Sequence, residues 1–170
     1  MKYLLGIIVG LLMCEVSHAS LIEFPDRLER LKFKNRLGYL ESRNNYQAVN
    51  RFGCLGRYQF CRPALIQLGL YNYKGEWVGW LPYRIKTKND FLDKPEAQEY
   101  ALDTWLRYLE SFARAKRLYK YPYSKAQILA GCHLVGCGGL SRALRTGKTV
   151  KDGNGMSVRK WMSYFKDIKY

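Results

Sequence analysis

The chain has 170 residues, of which 29 are Lys or Arg and 14 are Asp or Glu, so its formal net charge is +15. It contains no internal repeat, low-complexity tract or linker, which argues against a repeat array or a disordered chain and for one domain. The charge favours a polyanionic partner, although a basic solvated surface is an equally simple interpretation. Because the basic residues are scattered from Arg27 to Lys169 and form no dense run, we expect no nucleic-acid partner.

The first 19 residues have the layout of a secretory signal peptide. Lys2 gives a positive start, and the segment 4–13 is an unbroken apolar run. Ser17 and Ala19 place small residues at the −3 and −1 positions of a cleavage site. An apolar run of about ten residues is shorter than the roughly 20 that span a bilayer. We therefore expect residues 1–19 to be a signal peptide.

Removal of this leader would leave a domain of residues 20–170, large enough for a hydrophobic core. We expect the protein to be exported, to the periplasm or the medium, without stable membrane insertion after cleavage. An uncleaved anchor and lipoprotein processing at Cys14 are the alternatives.

Four cysteines remain after the leader: Cys54, Cys61, Cys132 and Cys137. An even number in an exported domain suggests two disulfides. The local pairings, 54 with 61 and 132 with 137, are the simplest, but crossed pairings stay open. A zinc site is the competing interpretation, although intervals of six and four residues fit structural zinc motifs poorly. We expect neither a metal nor another cofactor.

Helical spacing dominates the first part of the domain. Pro25 can begin a helix that ends near Arg43, which places Glu41 in its last turn. The apolar residues of this helix mark one face that we expect to be buried: Leu28, Leu31, Leu37 and Leu40. The Gly- and aromatic-rich segment 52–60 predicts short strands or a hairpin, and Pro63 begins a short helix to Leu70.

The second half of the chain predicts further helices after an irregular aromatic segment, 71–88. The longest runs over 94–118 with Asp93 as N-cap. Its expected buried face comprises Ala101, Leu102, Trp105, Leu109 and Phe112. Ser124 and Gln127 form a capping box for a helix that stops at Gly136.

Two glycines, Gly138 and Gly139, are expected to break the chain before a short helix that ends at Gly147. A turn at 152–155 then leads to a last helix, which Ser157 caps. The fold class is therefore mainly α (α+β), a single domain with a small β-hairpin after the first helix.

Glu41 is the candidate acid. A glycosidase needs a carboxylic acid that can donate a proton near neutral pH. The negative end of a helix dipole and partial burial among aromatic side chains both favour the protonated form. A solvated glutamate at a helix end is the ordinary alternative when composition alone is considered.

An ordered set of motifs resembles the lysozyme-like superfamily, in its bacterial and phage lytic transglycosylase and muramidase branch. In that branch a helix ends in Glu-Ser, and a hairpin with a Gly-x-Tyr-Gln-Phe signature follows, which residues 56–60 match. Residues 131–139 resemble the family's Ala-His-Leu-Gly-Gly turn, residues 90–99 its Asp-Phe-Leu and Ala-Gln-Glu stretch, and residues 152–157 its closing turn. The resemblance spans about residues 37–168 in the family's order.

The resemblance implies a lysozyme-like domain that cleaves the β-1,4 bond between N-acetylmuramic acid and N-acetylglucosamine in peptidoglycan glycan strands. It implies Glu41 as the catalytic glutamate, with Ser42, Tyr58 and Gln59 as substrate-binding residues. His133 would lie near the acid and also contact substrate. We expect such an enzyme to act as a monomer. Tyr58 as a core residue and His133 as a structural histidine are the alternatives.

The sequence shows no clear second carboxylate, since only Glu76 lies between Glu41 and Asp90. This favours a lytic transglycosylase, in which one glutamate acts first as acid and then as base. A hydrolytic muramidase, with Glu76 as a possible partner, is the alternative. Cys61 and Cys137 replace small residues of the family pattern, so a disulfide could brace the cleft, or a reshaped hairpin could be non-catalytic.

Two other functions remain open. One is a non-catalytic, cationic wall-binding protein; the other, less favoured because no long basic amphipathic helix is evident, is a membrane-active protein. The aromatic run 71–83 could stack on sugar rings or serve as core and connector packing.

Overall fold

The computed structural model describes residues 19–80 and 83–170, with side chains from residue 26 onwards. Apart from Ala19, the predicted signal peptide lies outside the described residues. The helices are α1 (Ala19–Ser42), α2 (Arg62–Gln67), α3 (Lys88–Leu92), α4 (Pro95–Ala115), α5 (Lys125–Thr146) and α6 (Val158–Ser163). A short 3₁₀ turn, Leu118–Lys120, joins α4 to α5. None of the helices in this part of the chain is both long and apolar enough to cross a bilayer.

The mainly helical class is confirmed, but the expected β-hairpin is reduced to isolated pairings. Leu55 forms antiparallel bridges with Val49 on one side and with Phe60 on the other. The amide of Leu55 donates to the carbonyl of Phe60 at 3.0 Å, and the amide of Phe60 donates back at 2.9 Å. Tight turns fill the segment between these bridges, so no strand extends beyond a single residue here.

Helix α1 contacts the core through its second half. Phe33 and Leu37 are fully buried, and the ring of Phe33 packs 5.1 Å from that of Phe165. Leu28 and Leu31 are 48% and 53% exposed, so their expected burial is wrong. Over residues 26–31 of α1 the same helical face borders an open groove.

Helix α4 differs from its prediction at both ends. Asp93 ends the short helix α3, and Lys94 is the N-cap of α4. Helix α3 was missed; it depends on a capping box in which Thr87 and Asp90 exchange hydrogen bonds. At the other end α4 stops at Ala115. Its predicted face holds except at Phe112, which is 43% exposed, and at Trp105, which is half-buried.

Helix α5 carries the predicted capping box of Ser124 and Gln127. Its break lies at Gly136, where φ is 70° and ψ is 152°, as the sequence predicted. The expected second break at Gly138 and Gly139 is wrong, because both glycines lie within the helical segment that ends at Thr146. Helix α5 packs against α4 and α6, which places its kink beside the core.

The two local disulfides are both present. Cys54 pairs with Cys61 and Cys132 pairs with Cys137. The first closes the turn segment between Leu55 and Phe60, and the second spans the kink at Gly136. Disulfide formation occupies all four sulfurs, which removes the thiolates that the zinc alternative required.

Candidate functional site

The end of α1 is fixed to the loop that follows it. The hydroxyl of Ser42 donates to the carbonyl of Arg57 at 2.8 Å and accepts from the amide of Asn45 at 3.0 Å. Arg43 and Asn44 then adopt positive φ angles, which ends the helix. Ser42 therefore joins helix to loop, and its side chain is engaged with the backbone instead of facing a cleft.

Glu41, one residue earlier, contacts His133 of α5. Glu41 Oε1 lies 3.3 Å from His133 Nε2, and the two side chains are 17% and 6% exposed. The same Nε2 atom lies 3.1 Å from the carbonyl oxygen of Tyr58. Three distant segments thus meet at one imidazole ring, which fixes the position of the Glu41 carboxyl relative to the loop and α5.

A cleft of about 230 Å³ opens at this point. Its walls come from four parts of the chain: Glu41 at the end of α1, the loop 50–61, His133 and Leu134 on α5, and the turn 152–154. Gln59 lies on the loop wall, with a φ of 49° that is uncommon for a residue with a side chain. The side-chain amide nitrogen of Gln59, Nε2, donates to the carbonyl of Gly56 at 2.8 Å, which holds the residue in this conformation.

Of the predicted site residues, the structure brings Glu41, Gln59 and His133 together on the cleft. Tyr58 is placed differently from its expected role, because its side chain is fully buried. Its phenol donates to Glu99 on α4, and burial raises its pKa well above the ordinary range for tyrosine.

Several residues of the cleft had no predicted role, and Phe52 and Asp152 are two of them. Phe52 is 54% exposed at the cleft wall, and Asp152 contributes a second carboxylate to the lining. Asp152 Oδ1 accepts from the amides of Asn154 and Met156, at 3.0 and 2.7 Å, so the carboxylate also shapes its own turn. The Asp-Gly-Asn-Gly sequence signalled the turn, but its position in the same cleft as Glu41 depends on the tertiary fold.

The loop and the turn touch each other beside the cleft. Arg51 Nη2 donates to Asn154 Oδ1 at 3.2 Å. Gly153 lies so close to the Phe52 ring that a Cβ atom there would be 3.3 Å from it. The aromatic face at the cleft is therefore held between two short loops.

Behind the cleft, Arg57 connects the loop to helices α1 and α4. Its guanidinium donates to Glu99 at 2.8 Å, to Asn35 at 2.7 Å and to Asn44 at 3.0 Å. Burial by itself raises the pKa of Glu99, but hydrogen bonds from Lys34 and Tyr58 outweigh it, so the net pKa lies below the ordinary value. Glu99 is thus held as a carboxylate within a fixed network.

The other acidic and aromatic candidates lie elsewhere. Glu76 accepts a hydrogen bond from Asn72 within its own turn and is absent from the cleft lining. Tyr71 packs edge-on against Trp77 at 4.6 Å, and Trp80 lies 5.5 Å from the ring of Tyr100 on α4. Tyr71, Trp77, Trp80 and Tyr83 therefore pack against the core, whereas Tyr73 is exposed.

Comparison with models of known protein families, with curated proteins and with solved structures finds no match. In the ranges 19–80 and 83–170, no group of three or more His, Cys, Asp or Glu side chains is arranged to hold a metal ion.

Proposed function

We propose that the protein has a lysozyme-like fold and cleaves the β-1,4 bond between N-acetylmuramic acid and N-acetylglucosamine in peptidoglycan outside the cytoplasm. The observation that carries the proposal is the position of Glu41. Its carboxyl lies in a cleft beside His133 and Gln59, where three parts of the chain converge. A solvated glutamate at a helix end would not be expected to contact a nearly buried imidazole such as that of His133.

The proposed reaction is that of a lytic transglycosylase. Glu41 donates a proton to the glycosidic oxygen as the bond from that oxygen to C1 of the muramic acid breaks. The resulting carboxylate then accepts the proton of the same sugar's 6-hydroxyl, whose oxygen forms a bond to C1. The product is a 1,6-anhydro sugar, and no water is consumed. One acid is sufficient because the substrate supplies the nucleophile.

Asp152 favours a second candidate, a hydrolytic muramidase. Its carboxylate lines the same cleft as Glu41, so the site holds the pair of carboxyl groups that glycoside hydrolases use. In that mechanism Asp152 activates water or attacks C1 directly. Against it, Asp152 Oδ1 is already engaged by two backbone amides of its turn.

Mass spectrometry of muropeptides released from purified peptidoglycan separates these proposals. We expect the wild type to release anhydro-muramyl ends, and Glu41→Gln to release none. A transglycosylase retains activity in Asp152→Asn, provided that the turn still forms, whereas a muramidase gives reducing ends and loses them in this variant. Glu76→Gln, outside the cleft, is the matched control and should behave as the wild type.

Release of products by the Glu41→Gln variant would contradict the assignment of Glu41 as the catalytic acid. Binding of the wild-type protein to peptidoglycan without any release of product would instead support the non-catalytic wall-binding alternative. A pelleting assay with the same peptidoglycan, run beside the mass spectrometry, measures that binding directly.

A further inference from the structure

Trp105 of α4 lies on the far side of the His133 ring from Glu41. Its indole Nε1 is 3.1 Å from His133 Nδ1. An indole N–H can only donate a hydrogen bond, so Nδ1 must be the acceptor and must carry no proton. In a neutral imidazole the single proton is then on Nε2.

The surroundings of Nε2 agree with this tautomer. Nε2 faces two oxygen acceptors, the carbonyl of Tyr58 at 3.1 Å and Glu41 Oε1 at 3.3 Å. With the proton on Nδ1, two N–H donors would face each other and the lone pair of Nε2 would face two oxygens. Every polar contact of the ring therefore favours the same form. The ring is also nearly buried and packs edge-on to Phe60 at 6.4 Å, which limits rearrangement by water.

We propose that Trp105 is a positioning residue that fixes His133 as its Nε2–H tautomer, so that a neutral N–H, hydrogen-bonded to the Tyr58 carbonyl, lies 3.3 Å from Glu41 Oε1. The catalytic part of this inference rests on the proposed function. In this tautomer Nε2 has no lone pair with which to accept a proton from Glu41. His133 then places a polar N–H beside the Glu41 carboxyl without a positive charge.

The neutral character of the donor matters for an acid catalyst. An imidazolium beside Glu41 would form an ion pair and stabilise the carboxylate, which opposes proton donation to the substrate. Protonation of Nδ1 would also turn the hydrogen bond from Trp105 into a contact between two donors. The same donor stabilises the carboxylate that forms after the proton has left, without adding a full positive charge to the site.

Nitrogen-15 NMR of the full chain at about pH 8 tests the tautomer directly. The sequence has only two histidines, His18 and His133, so His133→Gln assigns the ring signals. We expect an unprotonated Nδ1, a protonated Nε2, and a coupling through the hydrogen bond between Trp105 Nε1 and His133 Nδ1. A wild-type ring with its proton on Nδ1 would overturn the assignment without the need for any variant of Trp105.

Trp105→Phe should move the two ring signals towards each other as the second tautomer becomes populated. The matched control is Trp161→Phe. Trp161 also donates a 3.1 Å hydrogen bond from its indole, but to the carbonyl of Ala130, so His133 signals should stay in place. Unchanged His133 signals in Trp105→Phe would contradict the proposal.

The kinetic consequence is a separate measurement. Loss of the hydrogen bond that holds the neutral Nε2–H beside the reacting carboxyl should lower kcat about fivefold and leave KM unchanged. Trp161→Phe should keep the wild-type kcat. Wild-type kcat in Trp105→Phe would overturn the positioning role, whereas a wild-type chain that cleaves no glycan would overturn the proposed function and leave the tautomer assignment standing.

Discussion

Arg57 Nη1 lies 2.8 Å from Glu99 Oε1, and this ion pair joins the loop that carries Gln59 to the middle of the helical core. The partners are 11% and 27% exposed, so solvent screens the pair only partly. Lys34 of α1 also contacts Glu99, at 2.8 Å. The position of the cleft relative to α1 and α4 therefore depends on one carboxylate that does not line the cleft itself.

Glu99→Gln should destabilise the fold by about 2 kcal/mol at neutral pH, because it removes a charge that several donors share. The folded-state pKa of Glu99 is lowered from 4.5, so its stabilising contribution is complete above that value. The contribution is lost as the pH falls through the lower folded-state pKa. Urea unfolding across this acidic range should thus show the two proteins converging in stability.

Glu96→Gln is the control for this experiment, since Glu96 is exposed on the same helix. At neutral pH, Glu96→Gln should have the same unfolding free energy as the wild type. A constant difference between wild type and Glu99→Gln at every pH would mean that the ionised form of Glu99 is not what stabilises the fold.

Gly38→Ala should be destabilising by about 1–3 kcal/mol, although alanine is the better helix former. A Cβ atom at this position would lie 2.6 Å from both Arg57 Nε and Asn44 Oδ1, and Arg57 is held by several hydrogen bonds. The variant should also lose glycan cleavage, because the Arg57 network positions the loop of the cleft. Thermal unfolding and muropeptide release measure the two effects.

The matched substitution is Gly138→Ala, in the second part of α5, where a Cβ atom would meet nothing within 4 Å. It should raise stability by about 0.5–1 kcal/mol and leave cleavage unchanged. Equal effects of the two substitutions would contradict the close approach of Arg57 to α1.

Phe52→Ala should weaken binding of glycan chains about fivefold, because it removes the exposed aromatic face at the cleft. Tyr73→Ala is the comparison: Tyr73 belongs to the aromatic run and is 89% exposed, but it does not line the cleft. Titration with soluble glycan fragments should show weaker binding for Phe52→Ala alone. Weaker binding for Tyr73→Ala but not for Phe52→Ala would instead indicate that the aromatic run 71–83 stacks on the sugar rings.

Replacing Cys54 and Cys61 together by serine should cost about 2–3 kcal/mol of unfolding free energy, as expected for a short disulfide loop. The loop carries Gln59, so glycan cleavage should fall as well. Urea unfolding of this variant, compared with the wild type before and after reduction, checks the first effect. Activity that persists in the reduced wild type would show that the disulfide is dispensable for the geometry of the cleft.

Local sequence patterns predicted several elements correctly. The capping box of Ser124 and Gln127, the chain break at Gly136 and the placement of Glu41 in the last turn of α1 follow from short-range rules. Each depends on side chains that contact backbone within a few residues or on the φ angles that glycine allows. The two disulfides were also predictable from local sequence, because each joins cysteines only a few residues apart.

The prediction of buried side chains was wrong where a helical face has no other element packed over it. Leu28 and Phe112 lie at helical spacing from core residues, yet each is more than 40% exposed. Whether a helical face is covered depends on which element passes over it. The spacing of apolar residues in one helix cannot supply that information.

The sequence by itself determined that the domain is mainly helical, where its helices are capped, and which glutamate ends the first of them. The tertiary structure alone decided what surrounds that glutamate. It brought His133 to Glu41, Trp105 to the far side of the His133 ring and Asp152 to the same cleft. It also placed Tyr58 in the core and Gln59 on the cleft wall. Hydrogen bonds within a turn depend on residues that are close together in the sequence. Contacts between distant segments form only when the helices pack.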